Sequence, residues 1–122
     1  MITPGAVGHV EWCCTDFGRT KRFYGGLFVW KFRPYGKEYL LFHAPGYAGG
    51  GFQKVEGRRA VGAGASPTVY VEAKRIAPLL KRARRLGGRV LQPRTEIPGH
   101  GWCALVRDPD GNRVGLFEEK AR

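Results

Sequence analysis

Two short stretches of alternating residues carry the side chains that are best suited to chemistry. In the first, His9, Glu11 and Cys13 alternate with larger apolar residues, and this alternation places them on one face of a strand. Residues two apart on a strand lie roughly 7 Å from each other, so His9 and Glu11 can reach one substrate. An imidazole beside a carboxylate forms an acid and base pair near neutral pH. The spacing predicts His9 and Glu11 as catalytic residues; the alternative is that both have structural roles.

The second stretch begins at Thr68 and repeats this alternation. Thr68, Tyr70 and Glu72 share one face by the same rule. One constant offset carries His9 onto Thr68 and Glu11 onto Tyr70 without a gap. The chain therefore contains a second, degenerate copy of the first unit.

A helix must follow each of these strands. Asp16 offers an N-cap, and apolar residues then recur at helical spacing as far as Leu27 or Phe28. In the second copy, helical spacing runs from Ile76 to Leu86, where two glycines end the helix.

Strands and loops account for the remaining residues. Asp108-Pro109-Asp110-Gly111 has the chemistry of a type I turn and predicts a closing hairpin within 102–118. Residues 44–51 and 93–101 carry prolines and glycines, so we expect loops there. The other predicted strands are 7–14, 30–32, 39–43, 52–55, 68–73 and 89–91.

The order is strand, helix, strand, strand, strand, followed by the same order again. Because each half has too few strands to close alone, we predict an α+β fold. Its two βαβββ modules would form a curved mixed β-sheet around a cleft, with the helices outside. The predicted single domain spans 1–122, with module 1 at 7–55, a glycine-rich linker at 56–67 and module 2 at 68–118.

The charge of the chain is strongly positive. It has 21 lysines and arginines against 10 acidic residues, a formal net charge of +11, which favours an anionic ligand. Many cations lie on or beside the second helix, where a solvated face is the simpler interpretation. Nucleic-acid or other polyanion binding there is an alternative, although no aromatic residues interleave for base stacking. These cations are Lys74, Arg75, Lys81, Arg82, Arg84, Arg85 and Arg89.

The expected location of the protein is the cytoplasm. The first residues lack the basic and apolar regions of a secretory signal. No apolar run approaches the ~20 residues of a membrane helix, so we expect no membrane partner. Three cysteines, two of them adjacent, fit free thiols in a reducing compartment better than disulfides.

Several motifs follow one another along nearly the whole chain. They are Gly8 to Glu11, Asp16 to Phe32, Gly49-Gly50-Gly51-Phe52, Val69-Tyr70-Val71-Glu72, Leu86 to Val90 and Asp108 to Glu118. This set resembles the vicinal oxygen chelate superfamily, which includes glyoxalase I, extradiol dioxygenases and bleomycin-resistance proteins. It is most similar to small glyoxalase-like proteins without an assigned reaction. The resemblance implies the two-module fold and a homodimer.

In metal-dependent members of this superfamily, each module supplies one ligand on its first strand and one on its last. Carried onto this chain, the first-strand positions are His9 and Thr68, and the last-strand positions are Gly51 and Gly115. Only His9 can bind a metal well, because glycine has no side chain. We therefore expect no metal and no other cofactor.

Without a metal, the predicted cleft is an apolar pocket with a few convergent polar groups, and the two glycines are expected to enlarge it. Such a pocket suits a small-molecule ligand, and the residues leave open whether a reaction follows. The alternative is a metal-dependent lyase, isomerase or dioxygenase with displaced ligands at His9, Glu11 and Glu72. Besides His9 and Glu11, the predicted lining residues are Cys13, Gly51, Thr68, Tyr70, Glu72, Gly115 and Phe117.

Four other groups are predicted to stay outside the chemistry. Cys13 is expected to be an inert thiol, because only His9 could stabilise its thiolate. His43 and His100 fall at a strand end and in a loop, where we expect them to be exposed or locally bonded. Glu118 is expected to face away from the pocket.

Overall fold

The computed structural model describes residues 4, 9–46, 49–57 and 68–121. These residues form two βαβββ modules, which confirms the predicted α+β fold. Most of the predicted linker, 58–67, lies outside the described residues. The first module contains β1 (His9–Cys14), α1 (Phe17–Phe28), β2 (Lys31–Pro34), β3 (Tyr39–His43) and β4 (Gly49–Lys54). The second contains β5 (Tyr70–Ala73), α2 (Ile76–Arg85), β6 (Arg89–Ile97), β7 (Gly101–Arg107) and β8 (Arg113–Glu119).

Each module has its own four-stranded mixed sheet. The strand orders are β1-β4-β3-β2 and β5-β8-β7-β6. In both sheets the first strand runs parallel to the last one, and the other pairs are antiparallel. Among the described strands, β1 and β5 are therefore edge strands with one hydrogen-bonded neighbour each.

The two helices begin in different ways. Asp16 caps α1 by accepting a hydrogen bond from the Arg19 amide at 2.9 Å, and this bond lowers the pKa of Asp16. At the start of α2, Arg75 provides no side-chain cap. There the Ile76 amide donates to Glu118 Oε1 at 2.8 Å, so a carboxylate from β8 satisfies an amide at the helix start. Neither described helix is long and apolar enough to cross a membrane.

The buried faces of both modules merge into one hydrophobic core. In the first module this core is aromatic, and the rings of Tyr24 and Trp30 stack with centroids 5.3 Å apart. Trp12, Phe42 and Phe52 extend the same cluster. In the second module the core is aliphatic, and its members are Ile76, Leu80, Ala83, Ala104, Val106, Val114 and Leu116.

The turn between β7 and β8 is the predicted one, and it is buried against the first module. Asp108 accepts hydrogen bonds from the amides of Asp110 and Asn112 and from the Asn112 side chain. It also accepts one from the hydroxyl of Tyr24 at 2.9 Å. Asp108 is 4% exposed, and its burial raises its pKa. The side chain is therefore a fully bonded internal acceptor.

The neighbouring positions of this turn bond to the end of β1 and the start of α1. Asp110 accepts hydrogen bonds from the amide and hydroxyl of Thr15 and pairs with Arg19 Nη2 at 2.7 Å. The side chain of Asn112 donates to the carbonyl of Cys13. The turn thus joins the two modules through polar contacts.

Two predicted loops are wrong over part of their length. Gly49–Gly51, placed in the loop 44–51, belong to β4, where all three pair with β1 and where Gly50 and Gly51 also pair with β3. Residues 93–97, placed in the loop 93–101, belong to β6. β6 is an edge strand with register shifts on either side of Gln92, and such a strand tolerates Pro93.

Candidate functional site

The outer face of the first sheet, turned away from the core, carries three rows of side chains. The strand register places His9 beside Gly49 and Glu11 beside Gly51. Gln53 pairs with Cys13 on one side and with Tyr39 on the other, so Cys13 and Tyr39 belong to the same row. The predicted residues of the first module therefore lie on one face, as alternation requires.

A hydrogen-bonded chain links His9, Tyr39 and Glu11 on this face. The Tyr39 hydroxyl lies 2.8 Å from Glu11 Oε1 and 2.8 Å from Nε2 of His9. The rings of His9 and Tyr39 are stacked, with centroids 6.2 Å apart. The structure thus joins the two predicted catalytic residues through a third side chain.

The number of protons on these three side chains determines which group donates in each hydrogen bond. A phenol has one proton, so when Tyr39 donates it to the Glu11 carboxylate its oxygen can only accept from His9. Nε2 of His9 then carries a hydrogen, which leaves Nδ1 as the acceptor of a neutral imidazole. Burial, followed by the bond to Glu11 and the charge of Glu11, raises the pKa of Tyr39 to about 12. Tyr39 is therefore a phenol at neutral pH and can relay a proton.

Tyr39 also occupies the space beside Gly51, which corrects the expectation of an enlarged cavity. A methyl group at Gly51 would overlap the Tyr39 ring. The ring crosses β4 at this glycine and reaches β1 with its hydroxyl. The glycine makes room for a neighbouring aromatic ring rather than for a ligand.

The second module repeats this arrangement in part. Tyr70 pairs with Gly115 across β5 and β8, and a methyl group at Gly115 would overlap the Tyr70 ring. Tyr70 is 49% exposed, and no hydrogen bond joins its hydroxyl to another described residue. The second module therefore has the tyrosine over the glycine but lacks the hydrogen-bonded chain.

The other predicted residues of the second module lie around this pair. Glu72 pairs with Phe117 in the strand register, and both line a cleft of about 380 Å³. Thr68 lies before β5 rather than in it. This cleft is separate from the cleft that contains His9 on the first sheet.

The surroundings of Cys13 and Glu118 bear on the predictions made for these two side chains. Burial and the charge of Glu11 raise the pKa of Cys13, so the group is a thiol at neutral pH. Glu118 accepts hydrogen bonds from Ile76 and Arg94 at the start of α2. It therefore has a structural role.

The four positions that correspond to the superfamily's metal ligands do not form a ligand set. Gly51 and Gly115 offer no donor atoms, and tyrosine rings lie over both. Among the described residues, no three histidine, cysteine or acidic side chains converge as a metal site. His9 and Glu72 line different clefts. The residues present do not fit the divalent ion of the metal-dependent members.

Sequence reasoning missed Tyr39. Alternation alone places Tyr39 and Leu41 on one face of their strand, but it does not say which neighbouring strand lies beside them. The signal that could have found Tyr39 is Gly51, because a glycine inside a strand often marks a close approach by another group.

Comparison with known proteins identifies the family. The family described as "Glyoxalase-like domain" matches residues 9–117. A comparison with curated proteins found no match. Among solved structures, the chain is similar to a glyoxalase-related enzyme from Fulvimarina pelagi, with 22% identity and a TM-score of 0.74. That alignment covers 94% of this chain and 88% of the other.

Two further structures share the fold at lower identity. The genomically encoded fosfomycin resistance protein FosX from Listeria monocytogenes has 15% identity and a TM-score of 0.77, covering 98% of this chain and 96% of the other. The antibiotic binding protein TnmS3 from Streptomyces sp. CB03234 has 18% identity and a TM-score of 0.72, covering 98% and 100%. The family match and the two βαβββ modules agree, and the chain belongs to the glyoxalase-like domain family of the vicinal oxygen chelate superfamily.

Proposed function

We propose that this chain is a metal-independent, glyoxalase-like protein that binds a small molecule on the outer face of its first sheet. His9, Tyr39 and Glu11 would contact the ligand, orient it by hydrogen bonds and move a proton at a bound oxygen or nitrogen. The single observation that carries this proposal is the pair of tyrosine rings over Gly51 and Gly115. They fill the places from which metal-dependent members offer ligands.

The face has the features of a ligand site. An open cleft of about 500 Å³ is lined by His9, and hydrogen bonds link His9 to Tyr39 and Tyr39 to Glu11. Binding sites commonly have volumes of roughly 300–1,000 Å³. A neutral imidazole with a free Nδ1 can take a proton from a ligand. Tyr39 and Glu11 then stabilise the resulting imidazolium through the hydrogen-bonded chain.

The solved structures support binding as the shared property. FosX is a fosfomycin resistance protein and TnmS3 is an antibiotic binding protein by their descriptions. Since identity is low, we take from them only the class of partner, a small molecule. The particular ligand is for experiment to identify.

We further propose that the protein acts as a homodimer. The edge strands β1 and β5 have free edges in one chain, and Val29 and Tyr70 are exposed. Pairing across these edges would hide backbone groups that attract other strands. It would also bring the outer face of one copy near the second module of another.

Metal analysis tests the proposal directly. Protein purified without chelator is expected to contain divalent metal far below one ion per chain. The His9→Ala variant is expected to have the same content. One tightly bound ion per chain, lost in His9→Ala, would overturn the metal-independent proposal and favour displaced ligands at His9, Glu11 and Glu72.

A ligand screen by thermal shift tests the binding face. A small molecule that raises the melting temperature is expected to lose that effect in Glu11→Gln and Tyr39→Phe. Glu119→Gln removes an exposed carboxylate elsewhere and is expected to keep it. Equal stabilisation in all variants would show that the ligand binds another part of the protein.

A further inference from the structure

The outer face of the first sheet carries a row of basic side chains next to the His9–Tyr39–Glu11 chain. The register aligns His9 with Gly49 and His43 with Lys31. Gly49 also lies beside His43, whose Cα is 3.8 Å from the place that a methyl group at Gly49 would take. His9, Gly49, His43 and Lys31 thus form one row across all four strands, and Arg33 follows in the next row on the edge strand.

This row borders a cleft whose described lining includes no acidic residue. The cleft, of about 500 Å³, is lined by His9, Lys31, Arg33 and His43 together with apolar and glycine residues. Among the described residues that line it, none is an aspartate or glutamate. The nearest carboxylate in the register is Glu11, and it is already bonded to Tyr39.

Lys31 and His43 of this row, and Arg33 in the next row, are available to a ligand. Lys31, Arg33 and His43 are exposed, and no hydrogen bond or ion pair joins them to other described residues. This differs from Arg19 and Arg94, which are paired with Asp110 and Glu118. Three unpaired cationic or ionisable groups on one cleft create a local positive field.

The glycine in the row provides the space. His9 and His43 lie two strands apart, roughly 10 Å, and Gly49 between them has no side chain. A compact oxyanion can lie over this glycine within reach of a ring N–H of His43 and of the Lys31 ammonium, while the acceptor Nδ1 of His9 is left for the neighbouring atoms of the ligand. Arg33 can add a forked pair of hydrogen bonds from the next row.

We propose that this row is a binding subsite for the anionic group of the ligand, a compact oxyanion such as a phosphate, phosphonate or carboxylate. The inference rests on the proposed function, because His9 belongs to both sites. The subsite would hold the anionic end of the molecule and present its neighbouring atoms to His9 and Tyr39. The ligand class that follows is an anionic small molecule.

Titration with simple oxyanions tests the subsite. Inorganic phosphate and acetate are added separately at constant ionic strength, with a chelator present so that a contaminating metal cannot carry the anion. The imidazole signals of His43 in a proton–nitrogen NMR spectrum are expected to shift saturably. His100 lies in the second module and is expected not to shift. The tighter of the two anions shows whether the subsite prefers a tetrahedral or a planar group.

Matched charge variants separate the subsite from the general charge of the protein. Lys31→Gln and Arg33→Gln are each expected to weaken phosphate binding about tenfold, the loss of one charge-assisted hydrogen bond. Lys21→Gln and Arg84→Gln remove the same charges on exposed helix positions and are expected to leave it within about twofold. The same spectra confirm that each variant is folded.

Two results would overturn the subsite. One is the absence of a saturable His43 shift with both anions. The other is an equal weakening in the matched variants, which would indicate only the field of a protein with a net charge of +11. Metal content decides the proposed function and the anion titration decides the subsite, so the two can fail separately.

Discussion

Two tyrosine–carboxylate hydrogen bonds of nearly equal length occur in this protein, and they serve different purposes. Tyr24 donates to Asp108 at 2.9 Å in the core, and Tyr39 donates to Glu11 at 2.8 Å on an open face. Burial raises the pKa of Tyr24 well above its ordinary value, and that of Asp108 as well. Burial also raises the pKa of Tyr39, but Tyr39 remains in contact with solvent and a histidine.

The difference lies in what surrounds each pair. Each hydrogen bond that Asp108 accepts comes from a fixed group of the same chain. Since Tyr24 belongs to the first module and Asp108 to the second, the buried pair holds the modules together. The open pair continues into His9, whose other ring nitrogen has no hydrogen-bond partner in the described part of the chain. The same chemistry is structural where no ligand can enter and available for function where one can.

The largest expected effect comes from removing the buried carboxylate. Asp108→Ala leaves the Tyr24 hydroxyl and two amides without their acceptor, so it is expected to lower the free energy of unfolding by about 3–5 kcal/mol. Urea denaturation measures this, and Glu119→Ala, at an exposed position, is expected to change it by at most about 0.5 kcal/mol. A loss below about 1 kcal/mol for Asp108→Ala would contradict the structural role.

The next effect concerns the tyrosine ring over Gly51. Gly51→Ala is expected to cost about 2 kcal/mol, because the new methyl group displaces the Tyr39 ring. Tyr39→Ala in the same chain should recover most of this loss in a double-mutant cycle. Gly115→Ala is the internal comparison, and its cost is expected to be smaller since the exposed Tyr70 ring can turn away. If the costs of Gly51→Ala and Tyr39→Ala simply add in the double variant, the position of the Tyr39 ring does not require a glycine at position 51.

Removing only a hydroxyl from each tyrosine compares the two pairs directly. Tyr24→Phe is expected to cost about 1.5 kcal/mol of unfolding free energy, because Asp108 loses a donor that water cannot replace. Tyr39→Phe is expected to cost at most about 0.5 kcal/mol but to abolish the ligand response. Equal costs in chemical denaturation would remove the distinction between the buried pair and the open one.

A third carboxylate, Glu118, provides the last comparison. The hydrogen bond from Arg94 and then the amide of Ile76 lower the pKa of Glu118. A lowered pKa in the folded state gives stability that is full above the unfolded pKa and is lost as the pH falls through the folded pKa. Glu118→Gln is expected to cost about 1 kcal/mol at neutral pH.

The pH dependence provides the control for this prediction. The difference in unfolding free energy between Glu118→Gln and the unchanged protein should begin to shrink as the pH falls below roughly 4, where the unfolded glutamate takes up its proton, and should disappear below the lowered pKa of the folded state. Glu119→Gln should show no such dependence. A constant difference from pH 7 down to pH 3 would indicate that the charge of Glu118 has no part in the effect.

Local patterns predicted the elements whose causes are local. Asp16 caps α1 because its side chain bonds to an amide three residues along, and the turn at Asp108 forms from adjacent residues. The start of α2 was predicted at Ile76, but its cap was not, since Glu118 is distant in sequence. Gly49–Gly51 were wrongly assigned to a loop. They form a strand because side chains of neighbouring strands occupy the space beside them, which local sequence does not show.

The candidate site shows the same division. Alternation placed His9 and Glu11 on one face, which the register bears out. It could not show that Tyr39 links them, because that contact depends on which strand lies beside β1 and on a glycine between the two. For the same reason the place of His43 was not predicted: it belongs to the row of basic side chains because it pairs with Lys31 and lies beside Gly49, the partner of His9.

The turn between β7 and β8, which is buried against the first module, has a consequence for the order in which this chain can fold. Asp110 bonds to Thr15, and Asn112 to Cys13, across almost the full length of the described chain. Contacts between such distant residues form slowly, since a long loop must close before they are made. Until β7 and β8 pair, the end of β1 and the start of α1 lack these partners. The first module is thus completed by the last hairpin, and neither module reaches its final form independently.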